Sequence, residues 1–95
     1  MKSKDKRMCD IKLHYRRALL SENFLKLIHL RDFLQNLNIE ALIEEEQYYG
    51  PCWSLYCFAC VNLSIAEKVY QYCIDHNFAV SFLYRPSDRY YLTNN

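Results

Sequence analysis

Residues 52–61 read Cys52-Trp53-Ser54-Leu55-Tyr56-Cys57-Phe58-Ala59-Cys60-Val61, ten residues without a charge. Successive side chains of a strand point to opposite faces. In this register Trp53, Leu55, Cys57, Ala59 and Val61 face one way, and Ser54, Tyr56, Phe58 and Cys60 face the other. The stretch contains three aromatic residues, Trp53, Tyr56 and Phe58, and ends on β-branched Val61, and the turn-forming Tyr49-Gly50-Pro51 precedes it. It therefore reads as a central strand.

The reading extends outward from there. Ser64-Ile65-Ala66-Glu67 matches a capping box, in which a serine oxygen takes one orphan helix N–H and the glutamate returns to the cap. Ile65, Ala66, Val69, Tyr72 and Cys73 then line a helix that Asn77 closes, and Phe78, Val80, Phe82 and Tyr84 alternate in a further strand. Arg89 to Leu92 is short enough to form only a brief fifth strand after the Pro86-Ser87-Asp88 turn. Toward the amino terminus the same order occurs. Ile11, Leu13 and Tyr15 alternate with Lys12, His14 and Arg16; Ser21 is a cap candidate with Glu22 behind it. Phe24, Leu27, Ile28, Leu30, Leu34 and Leu37 recur at helical spacing, Asn38 closes, and Ile39, Ala41 and Ile43 alternate in a strand.

Two strand-helix-strand units pack most simply as an α+β, ferredoxin-like β-α-β-β-α-β fold. That fold is a four-stranded antiparallel sheet with both helices on one face. A meander with the helices at one end is the second arrangement compatible with the pattern. Residues 1–9 are polar and basic without periodicity and read as a disordered arm; residues 10–95 read as one domain.

Composition narrows the function. The chain of 95 residues has one glycine, Gly50, against an average usage of about 7%, so glycine-rich phosphate loops and dinucleotide fingerprints are excluded. The net charge is +1, but it is unevenly spread. Residues 1–20 hold seven bases and two acids (7 − 2 = +5), and residues 21–50 hold two bases and six acids (2 − 6 = −4). Such asymmetry suits charged partners or self-association. The five cysteines are odd in number and the first residues contain no apolar segment, which points to free thiols in the cytoplasm. Residues 47–66 carry no charge, yet Gly50-Pro51, Asn62 and Ser64 interrupt them, so they read as turn, strand and helix start rather than a membrane span.

Four sets of residues invite a chemical reading. Cys57 and Cys60 have C-x-x-C spacing, but three residues along a strand place their thiols on opposite faces, so a metal or redox pair is not expected. His14, His29 and His76 stand at no motif spacing to a nucleophile. In Glu44-Glu45-Glu46 only the first and last share a face, and the run reads as a solvated strand end. The fourth set is the sheet face away from the helices, with Lys12, His14, Arg16, Tyr56 and Phe58. Tyr84, on the fourth strand, completes the candidate partner-binding residues.

Aromatics flanked by bases suit a protein interface, where Tyr and Arg are enriched. The expectation is a non-catalytic regulatory module of the inhibitor or immunity type, binding a protein partner or a second copy of itself through this face or an edge strand. It requires no cofactor, metal or membrane. The alternative is an RNA or single-strand binder using the same face and the basic arm, since stacked bases and phosphates need the same residues. The leading base and the glycines of the RNA recognition signature are absent from Ser54–Ala59.

Overall fold

The computed structural model describes residues 6–19, 22–85 and 88–94. Seven elements follow in chain order: β1 (Met8–Ala18), α1 (Asn23–Asn36), β2 (Ala41–Gln47), β3 (Pro51–Asn62), α2 (Leu63–Asp75), β4 (Ser81–Tyr84) and β5 (Arg89–Thr93). The strands form a five-stranded mixed sheet in the order β2-β3-β1-β5-β4. The expected four-stranded antiparallel sheet of ferredoxin-like order is therefore corrected.

The reason lies at the carboxyl end. β5 pairs parallel to β1, with Ile11 opposite Leu92, and both are fully buried. β4 pairs antiparallel to β5 and takes the outermost place. Phe78, expected as the first strand residue, is used in closing α2, so β4 keeps only four residues. A strand with one buried leucine thus occupies the position the longer apolar run was expected to hold. β1 begins at Met8, within the stretch read from sequence as arm.

The chain divides into two compact units. One is Leu13–Cys57. In it α1 packs on β2, and Leu27, Leu30 and Leu34 are fully buried on the helix's inner stripe. Ile28 and Leu37, expected on the same face, are half-buried. Phe24 stacks on Trp53 at 4.7 Å. Leu13, Tyr15, Ile39, Ala41, Leu55 and Cys57 complete this core.

The second unit comprises the residues up to Lys12 and from Phe58 onward. α2 packs against β5, and Ala66, Val69 and Cys73 are fully buried, as are Cys9, Ile11 and Leu92.

The helix ends show how the local sequence acts. After each helix an asparagine adopts a left-handed conformation, φ 63° at both Asn38 and Asn77. The Asn38 N–H donates to the Gln35 carbonyl and the Ile39 N–H to that of Leu34. The same two bonds run from Asn77 to Ile74 and from Phe78 to Cys73. This is the Schellman closure, and the residues it joins, Leu34 and Ile39 at one helix and Cys73 and Phe78 at the other, are all buried.

The helix starts differ from expectation. Asn62, not Ser64, caps α2: its Oδ1 accepts from the Ile65 N–H at 2.9 Å, and Ser64 Oγ donates to the same oxygen at 2.8 Å. The extended backbone of Asn62 (φ −71°, ψ 162°) ends β3 and starts the helix in one residue, which leaves Ser64 inside the first turn. The cap expected of Ser21 lies outside the described residues. Glu22 occupies the cap position of α1 and makes no side-chain cap bond.

Candidate interaction face

The hairpin of β2 and β3 builds the site in Leu13–Cys57. Residues 48–50 join the strands: the Tyr48 N–H donates to the Gly50 carbonyl, with Tyr49 at φ 53° and Gly50 at φ 119°. The latter is a conformation that glycine alone adopts readily. The turn sets a register that places Glu46 opposite Cys52, Glu44 opposite Ser54 and Leu42 opposite Tyr56.

Glu46 is the centre of the arrangement. Its Oε1 accepts from Ser54 Oγ at 2.8 Å, and its Oε2 accepts from the Tyr56 hydroxyl. Arg16 Nε lies 3.8 Å from Oε1. The Arg16 guanidinium also sits 4.0 Å from the centre of the Tyr48 ring, a cation–π contact. His14 stacks on Tyr56, ring centres 4.3 Å apart and planes 21° from parallel. Ser54 is fully buried beneath these groups. A buried hydroxyl is costly unless it is hydrogen-bonded, and here the carboxylate satisfies it.

The electrostatics follow from these contacts. The Tyr56 hydrogen bond, then that of Ser54, holds the Glu46 carboxyl below its ordinary range; Arg16 adds to this, and partial burial opposes it. The same bond to Glu46 pushes the Tyr56 hydroxyl up. Burial, then the Arg16 charge, pulls the His14 imidazole down against the opposing pull of Glu46. At neutral pH the face therefore holds an ionised carboxylate between a neutral tyrosine and a neutral imidazole. A carboxylate stabilised in this way is a weak proton acceptor, whereas a general base works best with a pKa near the operating pH.

Of the residues read from sequence as partner-binding, His14, Arg16 and Tyr56 come together here. Lys12, Phe58 and Tyr84 belong to the other unit. Lys12 is exposed on β1, and Phe58 is 75% exposed. Tyr84 meets Tyr90 edge-on at 4.5 Å and Phe82 at 6.0 Å, while Phe82 in turn meets Tyr70 of α2. Tyr84 thus stands on the helix side of its hairpin.

Sequence reading missed Glu46. It was placed in a solvated acidic run, and the signal that could have found it was the hairpin register that Tyr49-Gly50-Pro51 fixes. Cys57 is buried and Cys60 exposed, and the five cysteines are unbridged. Among the described residues no three His, Cys, Asp or Glu side chains gather to hold a metal ion, and no helix is long and apolar enough to cross a membrane. Comparison with protein-family models, with curated proteins and with solved structures gives no significant match to this chain.

Proposed function

We propose that the chain is a non-catalytic interaction module that binds a protein partner through the face centred on Glu46 and Tyr56. The observation that carries this reading is the immobilisation of interface-type side chains before any partner arrives. Tyr56 is tied at its hydroxyl and stacked on its ring, and Arg16 is held between a carboxylate and an aromatic face. Tyrosine and arginine dominate interface hot spots, and side chains already fixed lose less freedom on binding.

Glu46 also favours a protein over RNA. An ionised carboxylate among the bases of this face repels a phosphate backbone and occupies the arginine a phosphate would need. The cytoplasm, read from cysteine usage, is the compartment this proposal assumes.

The test uses the whole chain as bait in a lysate of its host, with and without nuclease and across a range of salt, beside a Tyr56→Ala bait. The expected result is a protein retained by the native chain after nuclease and at high salt, and lost from Tyr56→Ala. Recovery of nucleic acid with steep salt sensitivity would establish the RNA reading instead. Equal retention by both baits would place the interface elsewhere.

A further inference from the structure

The hairpin of β4 and β5 lies in one unit with α2, and its helix side carries a run of rings. Tyr70 of α2 meets Phe82 at 6.0 Å, Phe82 meets Tyr90 at 5.9 Å, and Tyr90 meets Tyr84 at 4.5 Å. The run ends in solvent, because Tyr84 is 76% exposed on the outermost strand. Leu83, on the opposite side of the same strand, is exposed as well. A strand in that place turns one row of backbone N–H and C=O groups away from its sheet, and such a row accepts a further strand.

We propose that the further strand is β4 of a second copy of this chain, paired antiparallel about a two-fold axis through Leu83. An axis perpendicular to the sheet keeps the helix sides of both copies on one side, so residues on like faces oppose each other. Leu83 then opposes Leu83 of the second copy. Phe82 opposes Tyr84 of the second copy, twice over, so the run of rings continues from one copy into the next. Ser81 opposes Arg85 of the second copy.

Charge permits this pairing. β4 holds no charged residue, and the net charge of the whole chain is only +1. The Arg85 guanidinium lies back over Tyr91 of its own hairpin, 4.3 Å from the ring centre. No like charges are opposed in this register. A foreign strand would leave its own outer row open, whereas the two-fold closes both rows at once and stops at two copies. The Tyr56 face lies in the other unit and takes no part.

The experiment is sedimentation equilibrium of the full chain under reducing conditions. β4 has four residues, a small interface beside the roughly 1,200–2,000 Å² of stable complexes, so the expected dissociation constant is on the order of 100 µM. Leu83→Lys sets two like charges opposite each other and should weaken the dimer roughly tenfold or more. Leu25→Lys, at an exposed position on α1, should leave it unchanged. Tyr56→Ala should also leave it unchanged, which separates this pairing from the partner face. A second measurement fixes the register. Opposed residues of antiparallel strands have Cα atoms about 4.5–5.5 Å apart, within disulfide range. Under mild oxidation Leu83→Cys should therefore link into reducible dimers faster than the native chain, whose Cys60 is exposed. A single monomeric mass at all concentrations up to about 1 mM, or a dimer that Leu83→Lys does not weaken, would overturn the proposal. A mass that rises past the dimer, or Leu83→Cys linking no faster than the native chain, would overturn the two-fold register.

Discussion

Among the described residues, three non-glycine residues hold a positive φ, and substituting them in parallel isolates the contribution of backbone strain. They are Asn38 and Asn77, each at 63°, and Tyr49 at 53°. The left-handed region costs an ordinary L-residue about 1–2 kcal/mol, and asparagine less, because its short side chain bonds locally. Replacing any residue by glycine adds freedom to the unfolded chain and costs about 0.4–1 kcal/mol. For Asn77→Ala no relief offsets the strain, so the expected loss is about 1 kcal/mol. That corresponds to roughly 4–8 °C in Tm for a domain of this size. Asn38→Ala should lose a similar amount, while Asn38→Gly and Asn77→Gly change stability by less than about 0.5 kcal/mol.

Tyr49→Gly has the opposite sign. The ring meets Tyr48 edge-on, but Tyr49 is 98% exposed and buries almost nothing. Relief of about 1–2 kcal/mol less the unfolded-chain cost leaves a gain of about 0.5–1 kcal/mol. Urea unfolding followed by fluorescence of Trp53, the single tryptophan, measures all five variants under one protocol. If Asn77→Ala proves as stable as Asn77→Gly, the closure of α2 does not depend on the left-handed turn. If Tyr49→Gly is destabilised, the hairpin tip carries contacts that its exposure does not show.

Further predictions concern the ladder, the cap and the carboxylate. Leu92→Ala should cost about 2–5 kcal/mol by the same unfolding measurement, because Leu92 is fully buried opposite Ile11; a loss near zero would remove β5 from the core. Asn62→Ala should cost about 1 kcal/mol and Ser64→Ala clearly less, since Asn62 supplies the cap; the reverse order in thermal unfolding would restore Ser64 to that role. The Glu46 carboxyl titrates below its ordinary 4.5 in the folded chain. The stability it contributes is therefore present above that value and is lost as pH falls through the lower native one. Tyr56→Phe should raise the Glu46 midpoint in an NMR titration, and an unchanged midpoint would show that the hydroxyl does not hold the charge.

Much of the fold is legible in the sequence because its signals are local. Strict alternation at Trp53–Val61, helical spacing at Leu27, Leu30 and Leu34, and an asparagine after each helix all act within a few residues. Where two local signals compete, the sequence does not choose. Asn62 and Ser64 are both good caps, and the length of β3 decides between them. Strand order is less legible still, because Arg89–Thr93 has one aliphatic residue and its place beside β1 depends on a partner 81 positions away, Ile11 for Leu92 (92 − 11 = 81). The site divides in the same way. Alternation along β1 and β3 places His14, Arg16 and Tyr56 together, but the part played by Glu46 depends on hairpin register and on side-chain reach across strands.

The sheet has two outermost strands, and they are unequally defended against edge-to-edge association. β2 carries Glu44, Glu45 and Glu46, charges of the kind that keep a second strand from adding. β4 reads Ser-Phe-Leu-Tyr, with no charge, no proline and an exposed Leu83 and Tyr84. Colloidal behaviour therefore turns on β4. A lysine in place of Leu83 is the substitution that would keep concentrated solutions clear without touching the buried side chains.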